Sequence, residues 1–304
     1  MTRMEAPRGE AQRNYTRRTG SASDRLRSAW LRLGARRLGP LDSGARAVYM
    51  EWQRWRFATL LAADLHSYRT YRRLDGRGRP LRGHRERLRL KPLGGLEVEV
   101  RPRTSDAQML RETFRDNVHR PPAEANARGV RQIVDLGANI GITVADNALR
   151  YPQARILGVE LDPDNADLAR RNTARWAERC TILQGAAWTE DGEIAYVREP
   201  GQEFGFHVAR TGGRTTQALS MPTILAHVPD GARIDFLKMD VEGVESRLLA
   251  PSVPHWMDRV DAIALQVHGE YTIEDCVRDL DALGFSARPD SRRIDFVTAV
   301  RVPR

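Results

Sequence analysis

The sequence predicts an α/β protein built on a parallel, doubly wound sheet, and three observations carry that prediction. From about residue 130 onward, short apolar runs alternate with helix-patterned segments. The run Ile133-Val134-Asp135-Leu136 leads directly into Gly137-Ala138-Asn139-Ile140-Gly141 and then a helix, the strand–turn–helix order of such sheets. The last two apolar runs are joined by a Pro289-Asp290 turn, so the final strand is expected to be antiparallel.

Residues 1 to about 40 are rich in Arg, Ser, Gly and Thr and are expected to be a largely disordered basic arm. Leu26, Trp30 and Leu33 suffice for one short amphipathic turn. From Ala45 to about Leu74 the pattern is helical, with Phe57, Leu61, Leu65 and Tyr68 at helical spacing. Tyr49, Trp52 and Trp55 lead in, interleaved with arginines, and such a helix packs on its own domain more often than on a membrane or partner. Asp75-Gly76-Arg77-Gly78-Arg79-Pro80 reads as a linker, so residues 41–95 form a helical extension and residues 96–304 the principal domain.

That domain opens with the alternating strand Gly95–Arg101, and Thr104-Ser105-Asp106 then caps a helix through Met109, Leu110 and Phe114. After the glycine turn come helix 142–149, strand 156–160, helix 164–177 and strand 181–184. Residues 187–220 break the rhythm. Ile194–Val197 reads as a strand, and the polar, glycine-rich stretch Gly201–Gly213 lies where a loop shapes a substrate pocket. Strands ending at Met239 and Val267 follow, then helix 272–283, stopped by Gly284, and a hairpin of Phe285–Arg288 with Ile294–Val300.

The 304 residues suit one large domain plus an appendage. No run of eighteen apolar residues appears, and the basic N-terminus lacks the apolar core of a secretory signal. Cys180 and Cys276 are far apart in apolar patterns, as expected of core thiols in a reducing cytoplasm. Residues 1–105 carry 25 basic against 10 acidic side chains, the remainder 24 against 30. No aromatic-and-basic RNA-binding motif accompanies this excess, which argues against nucleic acid as a partner.

A dinucleotide clamp wants G-x-G-x-x-G after its strand, and here Asn139 replaces the second glycine. A side chain there crowds a pyrophosphate, and Asp135 is unhelpful beside phosphates. Both suit the ammonium end of S-adenosylmethionine, which carries no phosphate. Ile156–Pro163 is a second buried strand ending in an acid, Glu160, placed to accept ribose hydroxyls. Ile234–Glu245 is a strand running into Asp240, Glu242 and Glu245, and Ala262–Val267 delivers His268. Asp240 and Glu242 can orient a substrate hydroxyl, hold a divalent cation or take a proton, and His268 suits a general base.

Three segments resemble the signatures of FkbM-type methyltransferases: Val134–Gly141, Val159–Pro163 and Lys238-Met239-Asp240-Val241-Glu242-Gly243-Val244-Glu245. The resemblance covers roughly residues 96–304, with Arg101–Asp106 matching the lead-in strand. It implies a Rossmann-like class I methyltransferase fold, seven-stranded and mostly parallel, that transfers methyl from S-adenosylmethionine to oxygen on sugars or other secondary metabolites. By matching positions, Asp135, Gly137, Ala138, Asn139 and Gly141 surround the cofactor's methionine, and Glu160 and Asp162 its ribose side. Asp240, Glu242 and His268 face the acceptor, with Mg²⁺ at Asp240 an open expectation. Two positions depart from the family pattern: Ser220-Met221-Pro222 replaces T-L-D, and Gln266 replaces a glutamate. A nucleic-acid methyltransferase, a NAD-dependent oxidoreductase and a cofactor-binding module without catalysis remain as alternatives, and the oligomeric state, a homo-oligomer included, stays open.

Overall fold

The structure, a computed structural model, describes residues 40–76, 85–126, 129–198, 206–209, 213–250 and 255–303. The basic arm up to residue 39, with its Leu26–Leu33 turn, lies outside them. So do most of the linker after Gly76 and much of the 201–212 stretch. The chain divides into two compact units, residues 1–56 and 57–304.

Helix α1 (Pro40–Leu61) runs through that division. A second helix, α2 (Leu65–Leu74), follows at once, because Asp64 accepts a 2.7 Å hydrogen bond from the Ser67 N–H and starts a new N-terminus. The helical stretch read from the sequence is thus two helices. An antiparallel hairpin, β1 (Glu86–Leu90) and β2 (Leu96–Val100), comes next. Leu88, Leu90, Val98 and Val100 all fall on its buried face. The β1 strand was not anticipated, since only two leucines alternate within its arginine-rich run.

Helix α3 (Asp106–Arg111) continues into a wider turn at Glu112–Asp116, and α4 (Ala123–Asn126) is a single turn. Within the expected Thr104-Ser105-Asp106 cap, the Ser105 side chain makes no capping hydrogen bond. Thr104 accepts from the Asp106 N–H instead, and Arg101 grips the Asp106 carboxylate at 2.8 Å. Then come β3 (Gln132–Leu136), α5 (Ile142–Arg150), β4 (Arg155–Glu160), α6 (Pro163–Thr173) and β5 (Cys180–Gln184). The irregular region holds β6 (Ala186–Trp188), β7 (Gly192–Arg198), β8 (Phe206–Ala209) and β9 (Arg214–Ser220), a small sheet in the order β6-β9-β7-β8. It is followed by α7 (Met221–Leu225), β10 (Phe236–Met239), α8 (Glu245–Leu248), β11 (Ala262–Gln266), α9 (Ile273–Ala282), β12 (Phe285–Pro289) and β13 (Phe296–Arg301).

The main sheet has seven strands in the order β12-β13-β11-β10-β3-β4-β5. Strands β11, β10, β3, β4 and β5 are mutually parallel, while β13 runs antiparallel to both β11 and β12. One reversed strand inserted by the closing hairpin is what the sequence predicted. The doubly wound reading holds because both faces are buried: Ile133 and Ile156 enter one apolar cluster, Val134 and Leu157 the other. Each such fully buried side chain contributes about 1.5–3 kcal/mol of transfer free energy. Cys180 and Cys276 are buried free thiols. Among the described residues, no helix is long and apolar enough to cross a membrane.

Candidate active site

The carboxyl ends of β3, β4, β10 and β11 meet at one edge, and the backbone there is dictated by close approach. Gly137 has φ +82°, and a Cβ on it would overlap the Asp240 carbonyl oxygen. Gly141, φ +79°, brings α5 so near α6 that a Cβ would sit 2.8 Å from the Ala169 Cα. Between them Asn139 adopts φ +48°, a conformation asparagine tolerates, with its Oδ1 accepting from the Ile140 N–H at 2.8 Å. The Asn139 side chain folds back on its own turn.

Glu160 closes this half. Its Oε2 accepts from the Asn139 N–H at 2.8 Å and its Oε1 from the Asp162 N–H at 2.9 Å. Burial pushes its carboxyl up to about 7 against those hydrogen bonds. The Asn165 side-chain amide also donates to Oε1, at 3.3 Å. A carboxylate has about four lone-pair directions, so one acceptor position remains for a ligand, on Oε2.

The β10–β11 half is built differently. Lys238, inside the buried β10, places its ammonium 3.2 Å from Asp135 Oδ1 and 3.6 Å from Asp240 Oδ2, and donates to the Gly137 carbonyl oxygen. Burial alone would discharge it, but Asp135 and Asp240 hold its pKa above the ordinary lysine value. His268 points Nε2 at Asp240 (3.6 Å) and Glu242 (3.5 Å), while its Nδ1 lies 2.7 Å from the fully buried Glu245. Glu245 also accepts from the Gly243 N–H at 2.9 Å. Burial works against the His268 imidazolium, yet Glu245, Asp240 and Glu242 together lift it to about 9. Burial, with repulsion from Asp240 and Glu245, pushes Glu242 up to about 8. Glu242 also holds φ +55°, a strained value for a non-glycine residue.

Gly137, Asn139, Glu160, Trp188, Asp240 and Glu242 line one open cleft. Of the residues predicted from sequence, Asp135, Ala138, Gly141, Asp162 and His268 are not among that lining, and His268 reaches it through Asp240 and Glu242. Asp135 is fully buried against Lys238 and Thr143, and Asp162 caps α6 by accepting from the Asp164 and Asn165 N–H groups. Ala138 is 1% exposed and donates its N–H to the Val159 carbonyl. Asp240, Glu242 and His268 do come together, with one ligand atom from each within 4.8 Å of the others, so they could hold a cation.

Sequence reasoning missed Lys238, Glu245, Trp188 and His119. Lys238 carried a signal: a lone charge inside Phe236–Met239, where every residue is buried. His119 carried none. Its ring sits edge-on to Phe296 at 5.3 Å, its Nδ1 has no hydrogen-bond partner, and burial pushes its pKa down to about 3. The helix expected near Gly243 begins at Glu245, because the chain first turns through Glu242 and Gly243.

No protein of curated function matches the chain in sequence. Among solved structures it is similar to precorrin-6y C5,15-methyltransferase from Geobacter metallireducens GS-15, at 15% identity and a TM-score of 0.38, over 64% of this chain and 89% of that one. It is also similar to the N-terminal domain of human METTL16 in complex with SAH, at 10% identity and a TM-score of 0.37, over 63% and 69% of the two chains. The methyltransferase FkbM domain model matches residues 135–286, half of the chain, from the first acid of the glycine turn into the closing hairpin. The chain therefore belongs to the FkbM methyltransferase family.

Proposed function

We propose that the protein is an S-adenosylmethionine-dependent O-methyltransferase acting on a hydroxyl of a sugar or other secondary metabolite. The observation that carries this reading is the meeting of Glu160 with Asp240, Glu242 and His268 at one strand edge. An acid with a free acceptor position on Oε2 suits a ribose hydroxyl. A proton-accepting cluster beside it suits an alcohol.

The sulfonium cofactor supplies an electrophilic methyl group. The chain's own residues hold the acceptor in line and remove its proton. Glu160 accepts a ribose hydroxyl, and the Gly137–Gly141 turn admits the methionine end against bare backbone. Asp135, expected at the cofactor's ammonium, already shares its carboxylate with Lys238, so its support for that end runs through the turn. Asp240 orients the acceptor hydroxyl, and the His268–Glu242 pair, braced by Glu245, takes its proton. Lifted to about 9 and about 8, the pair must first lose its own proton, so turnover rises with pH through that range.

Mg²⁺ suits this donor set poorly. It favours oxygen ligands, whereas one of the three donors is an imidazole, and the Lys238 ammonium already faces Asp240. A chelator is expected to leave turnover unchanged.

Incubation with the cofactor and a panel of hydroxylated acceptors, read by mass spectrometry, tests the proposal. It predicts a methyl ether whose formation falls in His268→Gln. Methylation confined to RNA or to nitrogen, or none with a protein that binds the cofactor, would overturn it.

A further inference from the structure

The unit formed by residues 1–56 is set apart by charge. It holds 13 arginines against 5 acidic residues, a net +8, whereas the other 248 residues carry 36 basic against 35 acidic groups. Only Lys91 and Lys238 in the whole chain are lysine, so an arginine-rich coding bias accounts for the choice of arginine everywhere. It does not account for the imbalance, because the larger unit offsets its arginines with acids and this one does not.

The described part of the unit presents apolar surface as well. Val48, Trp52 and Trp55 recur at i, i+4 and i+7, one face of α1, and are 72%, 46% and 49% exposed. The Arg56 guanidinium lies over the Trp52 ring at 5.6 Å, and Tyr49 flanks the same indole at 6.0 Å. A long cation laid along an indole buries its stem and keeps its head at a polar boundary. Two indoles with Val48 on one helix face, in a strongly cationic unit, match a bilayer interface. The rings sit at headgroup level there and the arginines meet anionic lipid. Nucleic acid would use the charge and a ring, but it has no use for an exposed Val48.

We propose that this face of α1 docks the protein on the surface of an anionic lipid bilayer, without spanning it. The inference stands apart from the methyl-transfer reading.

Flotation of the full chain with phosphatidylcholine vesicles, with and without phosphatidylglycerol, tests it, and the thermal unfolding midpoint serves as the folding control. Binding should be at least about tenfold tighter to the anionic vesicles and fall steeply with salt. Val48→Glu/Trp52→Glu should weaken it about tenfold or more with the unfolding midpoint unchanged, and Arg46→Glu/Arg56→Glu should weaken it independently. Four results would each overturn the proposal: no flotation with anionic vesicles; flotation that both variants leave intact; retention of RNA but not vesicles; or a dimer in lipid-free solution that Val48→Glu/Trp52→Glu dissolves.

Discussion

The two halves of the cleft solve opposite problems. Around the glycine turn the acids are held by partners: Asp162 by helix N–H groups, Asp135 by Lys238, and Glu160, which faces the cleft, by the Asn139 and Asp162 N–H groups and the Asn165 amide. At the ends of β10 and β11, Asp240, Glu242 and the His268 Nε2 face one another at 3.5–3.6 Å, beyond hydrogen-bond length, with Glu242 in a strained backbone conformation. A satisfied region is built to hold one shape. A region of crowded, like-charged and strained groups is kept because chemistry uses it, and stability is lost there. Substitutions in the two halves should therefore fail differently.

The largest effect is expected where the halves share a group. Lys238→Met leaves Asp135 buried without its counter-ion and should cost about 3–5 kcal/mol of stability, read as a fall in the denaturant midpoint. In the β10–β11 half, His268→Gln should lower kcat about 10²–10⁴-fold while the midpoint stays nearly constant. Glu245→Gln should act through His268. With the carboxylate gone the imidazole loses its strongest support, so the rise of activity with pH should shift to lower pH. An unmoved profile would remove Glu245 from the mechanism. The smallest effect has the opposite sign. Glu242→Gly relieves the positive φ and should stabilise the fold by about 1 kcal/mol while activity falls, a pairing that a purely structural Glu242 would not give.

The two halves also differ in how far the sequence discloses them. Gly137–Gly141 and the acid at Glu160 were legible because strand, turn and helix are adjacent in the chain and each carries its own local signal. Asp240, Glu242 and His268 were legible as strand ends for the same reason. Their supports were not. Glu245 meets His268 across 23 residues, and Lys238 meets the Gly137 carbonyl across 101, contacts set by the pairing of β10 with β3 and β11. The left-handed turn at Glu242 was equally hidden. Glutamate has no preference for it, and it is imposed by the neighbouring Gly243 turn and the grip of Glu245. The hairpin strand β1 was lost in arginines that only the folded structure places on its outer face.

Glu160 and His268 divide binding from chemistry, and side-by-side calorimetry tests that division most directly. S-adenosylmethionine and S-adenosylhomocysteine would be titrated into the parent, Glu160→Gln and His268→Gln. Losing one charged acceptor to the ribose should weaken binding about tenfold or more in Glu160→Gln, while His268→Gln stays within about threefold of the parent. Equal losses in both variants, or a folded parent that binds neither compound, would contradict it.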